Sequence, residues 1–243
     1  MVKLRLKFSK NGPIKFIGHL DVMRYFQKAI RRADIDIKYS EGYSPHQLLS
    51  FAQPLSVGAT SDGEYLDMTL NSMTSKEDVV ERLNAVMNEG IKILAAEELS
   101  ETSAKAMTDV YAARYRIRIR ESAWENVVSD NDAISSTWPD EFIKFISQDH
   151  LPAMKKTKSG EKEIDMKPMI YESKITPDIP GVELLLAMSS SATLKPALLF
   201  GKFFESLGID FSPSYLDIHR LDMYKQIEKD GELIIEPFIK TSN

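Results

Sequence analysis

Lys3–Ala33 reads KLRLKFSKNGPIKFIGHLDVMRYFQKAIRRA, and two different periods meet in it. Leu4, Leu6 and Phe8 alternate with Lys3, Arg5 and Lys7, which is the period of a half-buried strand. Asn11-Gly12-Pro13 ends that pattern. From His19 the spacing lengthens. Leu20, Met23, Phe26 (or Gln27), Ile30 and Ala33 recur at helical intervals, which predicts a helix over His19–Ala33 with these residues toward the core. Asp21 falls in its first turn, where the helix dipole favours an anion. Arg24, Lys28, Arg31 and Arg32 share a second, basic face.

Working outward, Ile35–Tyr39 predicts a short strand, Glu41–Pro45 a loop and Gln47–Ala52 an extended segment. Glu64–Leu70 (EYLDMTL) predicts a strand with Tyr65 out of phase with Leu66, Met68 and Leu70. Ser75–Asn88 reads as a second helix, capped by Ser75 with Asp78 at the capping-box distance, and Gly90 closes it. Ile91–Glu97 is a further strand. Strand, helix, strand, strand, helix, strand is the ferredoxin-like order. Beyond Thr102–Asp109, Ala113–Arg120 (ARYRIRIR) repeats the opening theme. Tyr115, Ile117 and Ile119 lie on one face and four arginines on the other. A short helix follows at Glu141–Gln148, then a basic turn at Lys155–Lys162 and a strand at Glu163–Tyr171 interrupted by Pro168. The last elements are a strand at Val182–Met188, a helix at Lys195–Leu207 and a strand within Ser214–Lys225. The expected fold is α+β: a ferredoxin-like half over residues 1–100, a linker over 101–112, and a second, degenerate ferredoxin-like half over 113–243.

The 243 residues carry 31 Lys+Arg and 36 Asp+Glu, with no cysteine. That composition is globular, and it excludes disulfides, thiolate zinc sites, cysteine nucleophiles and an internally ligated iron–sulfur cluster. No signal-peptide core and no membrane-length apolar run occurs, so a cytoplasmic location is expected. The charge is uneven. Residues 1–48 hold ten Lys/Arg against four acids, on a chain whose net charge is −5. A basic end on an acidic protein reads either as a local anion-binding surface or as a solvated face.

The densest group of chemistry-bearing residues is Gly18-His19-Leu20-Asp21 followed by Tyr39-Ser40-Glu41-Gly42-Tyr43-Ser44-Pro45-His46. A loop with Gly42, Tyr43 and His46 beside a basic helix can grip a phosphate-bearing ligand, with cations on phosphate and an aromatic ring on a base. The same residues also read as an ordinary turn and helix start. His19, Asp21 and His46 could ligate a metal, but no paired-histidine spacing supports it, so neither metal nor cofactor is expected. P-loop, dinucleotide and nucleophile-elbow motifs are absent from the sequence. Lys158, Lys162 and Asp165 lie in a second, mixed-charge cluster that suits either a phosphate backbone or a solvated hairpin.

The run Phe8–Leu70 contains F-S-K-x-G-P-x-x-F-x-x-H-L-D-x-M-R, R-R-A, Y-S-x-G-Y-S-P-H, L-S-F-A-x-P-L-x-x-G and E-Y-L-D. It resembles the uncharacterised bacterial domain family linked to radical S-adenosylmethionine (SAM) proteins. Lys158–Pro168 and Leu216–Leu221, which includes His219-Arg220, resemble that family's later motifs. The resemblance implies an accessory domain, fused behind or encoded beside a cobalamin-binding radical enzyme and found near ribonuclease E/G genes. It carries over His19, Asp21, Arg24, Tyr39, Ser40 and Gly42, then Pro45, His46, Ser50, Phe51, Glu64 and Asp67. In the later motifs it carries over Lys162, Glu163, Asp165 and Arg220. The family pattern has Phe after Gly42, where this chain has Tyr43.

The leading expectation is an RNA-binding module supporting RNA modification or processing. The basic α1 face with Arg24, Lys28 and Arg31, the arginine-bearing strand Ala113–Arg120 and the Tyr39–His46 loop would contact structured RNA, and no DNA or membrane contact is expected. The alternative is a protein partner of a radical SAM enzyme or ribonuclease E/G without RNA contact. A third reading, with weaker support, is a metal-independent endoribonuclease with His19 and His46 as acid and base.

Overall fold

The computed structural model describes residues 1–121, 123, 132–157, 160–177 and 179–240. In chain order the elements begin with β1 (Val2–Lys10), α1 (His19–Arg32), β2 (Leu49–Phe51), β3 (Thr60–Leu70) and α2 (Lys76–Val86). β4 (Ile91–Leu99), α3 (Ala106–Asp109), β5 (Val110–Ile119) and α4 (Asp132–Ile146) follow. Then come β6 (Pro152–Thr157), β7 (Gly160–Asp165), β8 (Ile170–Ile175), β9 (Val182–Ala187) and α5 (Pro196–Ser206). β10 (Leu216–Lys229) and β11 (Glu232–Pro237) close the chain. The class is α+β. The chain forms two compact units, Met1–Tyr111 with Arg220–Asn243, and Ala112–His219.

In the first unit β1 lies between β4 and β3, antiparallel to both, and β2 pairs with β3. β10 also lies beside β3, and β11 pairs with β10. Leu4, Leu6 and Phe8 of β1 and Leu66, Met68 and Leu70 of β3 meet one apolar core with the helices. Ser75 caps α2 as the sequence predicts: its Oγ accepts the Asp78 N–H at 3.0 Å.

The core face of α1 keeps Phe26, Ile30 and Ala33 of the sequence reading but not Leu20 and Met23. Val22, Phe26, Ala29 and Ile30 are buried, with Ala33 just beyond, whereas Leu20 is 60% exposed. Positions 22, 26, 29/30 and 33 form a helical stripe that overlaps the predicted one and is rotated slightly from it, which leaves Leu20 outside. Ile35–Tyr39 is not a strand. Asp34 adopts a left-handed conformation, and the Ile35 N–H donates to Ile30 O at 3.2 Å, closing α1 with a Schellman turn. Ile35 and Ile37 then plug the core; an isolated bridge joins Ile37 to Leu70 of β3, and another joins Tyr39 to Gln47. The segment Thr102–Asp109, expected as a linker, contains α3.

β1 is not half-buried. Arg5 and Lys7, on the face away from the helices, are buried too. The carboxy-terminal stretch covers them. The Arg5 guanidinium lies 4.6 Å from the Phe238 ring centre, and Tyr65 packs on the same ring. Buried charges need partners. Arg5 makes a two-pronged ion pair with Asp67, and Lys7 meets Asp222 at 2.7 Å. Tyr65 donates to the other Asp222 oxygen at 2.6 Å. Burial and that carboxylate push the Tyr65 phenol well above its ordinary value.

In the second unit β9 runs between β5 and β8, antiparallel to both, and β6 and β7 form a separate hairpin. Trp138 and Phe142 of α4 pack with Phe200 and Phe203 of α5 in an aromatic core. The burial of Tyr115, Ile117 and Ile119 matches the predicted alternation. The opposite, arginine face is laced to acids: Arg114 to Glu172, Arg116 to Glu183, and Arg120 to Asp217.

Glu183 also accepts from Lys174. Burial raises the Glu183 pKa, but Arg116 and Lys174 outweigh it and hold the carboxyl below its ordinary 4.5. A depressed carboxylate stabilises the fold above that ordinary value, and the contribution is lost as pH falls through the lower, folded value. Glu183→Gln is therefore expected to reduce stability at pH 7 and to flatten the loss of stability below about pH 4.5. Urea midpoints from pH 7 to pH 3 check this, and parallel wild-type and variant curves would refute it.

Candidate nucleic-acid interface

The loop after Tyr39 is closed at its base. The Ser40 N–H donates to His46 O at 2.8 Å, and the His46 N–H donates to Ser40 Oγ at 3.1 Å. Ser40 Oγ also lies 2.8 Å from His46 Nδ1. Because that oxygen already accepts from the His46 backbone, its own proton is free to point at the ring nitrogen. Gly42, with φ of 109°, supplies the left-handed turn that lets the loop double back. Tyr43 stands fully exposed at its tip.

Gln47 anchors this loop to α1. Its Nε2 donates to Gln27 O at 3.3 Å. Arg24 and Arg31 lie one turn to either side of Gln27, and Lys28 is the next residue along. Among the described residues Arg24 makes only an exposed 3.6 Å ion-pair contact, with Asp21, which costs little to exchange for another anion. Lys28 and Arg31 have no ion-pair partner among the described residues and are exposed.

Three further amino-terminal cations are spent inside the fold. Arg5 and Lys7 are the buried pairs described above, and Lys10 is buried with its ammonium donating to Ile17 O at 3.0 Å. The basic end is therefore not one continuous anion-binding surface, and its exposed part centres on α1.

His19 and His46 line different cavities. His19 lies edge-on to Phe51 at 5.6 Å and borders a small cavity of about 20 Å³ with Lys10 and Glu64. Behind it Arg220, fully buried, grips Glu64 with two 2.8 Å bonds and donates to Gln53 O. Burial lowers the Lys10 ammonium pKa, against the pull of Glu64 and with the push of Arg220. Arg220 thus faces its own carboxylate. His46 instead borders a groove of about 290 Å³ with Ser50 and Asp67. Among the described residues no group of three His, Asp or Glu is placed to hold a metal ion.

In the second unit Asp165 organises a turn. It accepts the Leu151 and Lys167 N–H groups and meets His150 at 3.2 Å. Those backbone donors, ahead of His150, hold its carboxyl below the ordinary range. Lys162 is exposed on β7 opposite Lys155, whose ammonium donates to Thr193 O. Lys158 lies outside the described residues. The sequence reading missed the lysines of the groove, Lys3 and Lys105. Lys3 was legible only as part of a strand pattern, and Lys105 lay in the supposed linker.

The bacterial family described as uncharacterised protein conserved in bacteria, DUF2344, matches residues 3–196. The chain belongs to DUF2344. The match takes in the Tyr39–His46 loop, α1 and the groove, and ends before Arg220, so this DUF2344 chain completes its buried Glu64 pair from beyond the matched residues. A comparison with curated proteins returns no match. No described helix is long and apolar enough to cross a membrane.

Proposed function

We propose that this protein binds single-stranded RNA through the Tyr39–His46 loop and the exposed cations of α1. The observation that carries the reading is Tyr43, fully exposed on a loop that hydrogen bonds close at its base and that Gln47 ties to the α1 backbone. An exposed aromatic on a pre-ordered loop offers a base a stacking surface at little entropic cost. Arg24, Lys28 and Arg31 supply phosphate contacts next to it. We read the β4-β1-β3-β2 order around this site as a ferredoxin-like half, and the β5, β8 and β9 strands with α4 and α5 as a second, degenerate one. In this reading the chain presents RNA to a radical SAM enzyme or ribonuclease E/G partner, as the sequence resemblance implies.

The test is fluorescence anisotropy of a labelled 20-nucleotide single-stranded RNA across a salt series. Tyr43→Ala is expected to weaken binding by about 5- to 150-fold, the equivalent of about 1–3 kcal/mol for one stacked base, with an unchanged circular dichroism spectrum. Replacing Lys28 and Arg31 with serine is expected to lower the slope of log affinity on log salt by about 1.4. Binding that ignores salt, or that Tyr43→Ala leaves intact, would remove the proposal.

One observation favours a second reading. Phe16 (65% exposed), Leu20 and Val57 (62% exposed) lie on segments that meet near the start of α1, where the Gly58 N–H donates to Lys15 O. Clustered exposed apolar side chains suit docking to a protein. A partner that co-purifies after RNA digestion, and is lost with Leu20→Glu, would favour it.

A further inference from the structure

The groove beside His46 is a second recognition element with its own chemistry. Its floor is the face of the first sheet opposite the helices, where Lys3 pairs with Thr69 on one side and Leu99 on the other. One wall is the segment His46–Ser50, which leads into β2 and lines the groove with His46, Leu48, Leu49 and Ser50. The other wall is the segment Ser103–Lys105. It is fastened over the sheet by Arg5 donating to Ala104 O at 2.9 Å and by the Ala106 N–H donating to Asp67 at 2.7 Å. These fastenings consume the charges of Arg5 and Asp67 on each other and on backbone, so neither is left for a ligand. Lys3 and Lys105 then dominate the field of a groove of about 290 Å³, near the lower limit of about 300 Å³ for small-molecule pockets. The Lys3 ammonium bonds only one exposed carbonyl, Glu101 O, and Lys105 has no ion-pair partner among the described residues.

Two ammonium groups and a serine hydroxyl around one opening suit a dianionic phosphate better than a carboxylate. Leu48 and Leu99 give the body of the ligand an apolar wall. His46 belongs both to this groove and to the base of the Tyr43 loop, so a chain seated here runs directly toward the stacking residue. We infer that the groove formed by Lys3, Lys105, Ser103 and His46 binds a nucleotide 5′-phosphate monoester. The choice of a nucleotide over other phosphate esters rests on the RNA-binding reading. The phosphate can come from the 5′ end of an RNA or from a free mononucleotide.

The experiment uses the full chain and two matched probe pairs. One pair is a 3′-labelled ten-nucleotide RNA bearing a 5′-phosphate or a 5′-hydroxyl, followed by anisotropy. The other is adenosine 5′-monophosphate against adenosine, followed by titration calorimetry. The inference stands if the phosphate improves binding of either pair by about tenfold or more, and if the gain disappears in Lys3→Ala/Lys105→Ala and in Ser103→Asp. Two variants of different design keep the test valid if one misfolds. The inference is overturned if neither pair gains from the phosphate, or if the gain survives in both folded variants. Salt-sensitive RNA binding blind to the 5′ end would sink the groove and leave the Tyr43 reading intact. Mononucleotide binding without RNA binding would do the reverse.

Discussion

Arg220→Ala is expected to destabilise the protein by about 3–5 kcal/mol, read as a lower urea midpoint, because it strands a buried carboxylate. Arg220 is 0% exposed and holds both Glu64 oxygens at 2.8 Å, with Nη2 also on Gln53 O at 3.1 Å. Removing the guanidinium leaves Glu64 in the same desolvated place, beside Lys10, which is itself held below its ordinary pKa by burial. Lysine is a poor substitute here, since the two parallel bonds require the flat guanidinium fork. Arg220→Lys should therefore recover less than half of the loss. The double variant Arg220→Met/Glu64→Met is expected to recover most of it, because neither charge then remains to be desolvated. A loss under about 1 kcal/mol for Arg220→Ala, or no recovery in the double variant, would show that the pair is not what holds β10 against β3.

The parts of the fold that the sequence made legible are those set by local period. The β1 alternation, the Ser75 cap and the β5 alternation all follow from spacing alone. What escaped depended on contacts distant in sequence. Lys3-Leu4-Arg5-Leu6-Lys7 reads as a strand with one wet face, and residues distant in sequence dry it: Phe238 and Ala104 at Arg5, and Asp222 beside Lys7. On α1 the period places Phe26, Ile30 and Ala33 inside correctly, but at the first turn Leu20 and Val22 both satisfy it, and the sheet decides for Val22. One miss was avoidable. Asp230-Gly231, both at positive φ, join β10 to β11, and an Asp-Gly pair between alternating residues is among the stronger hairpin signals in a sequence. Of the candidate site, Tyr43, His46 and the α1 cations could be named from residue type and crowding. The groove could not, because its second wall comes from the segment that reads as a linker.

Gly63 carries the last prediction and ties these contacts together. A glycine inside a strand pattern signals a bulge or the close passage of another backbone. Here it is close passage. A Cβ on Gly63 would lie 2.3 Å from Asp222 Cα and 2.6 Å from Leu221 O, both backbone atoms that no rotamer change can move aside. Gly63→Ala is therefore expected to cost about 3 kcal/mol, the upper end of what overpacking costs, or more. Gly18→Ser is the matched comparison. Gly18 is the α1 N-cap with open space around it, and serine is favoured there, so its effect should stay within about 0.5 kcal/mol and tend toward stabilisation. Equal urea midpoints for the two variants would refute the close-passage account. The same displacement of β10 that Gly63→Ala forces would move Asp222 from Lys7 and Arg220 from Glu64, so the substitution should also weaken the coupling measured between Arg220→Met and Glu64→Met. A methyl group at position 63 thus tests the packing that lets a strand from the far end of the chain neutralise charges at its beginning.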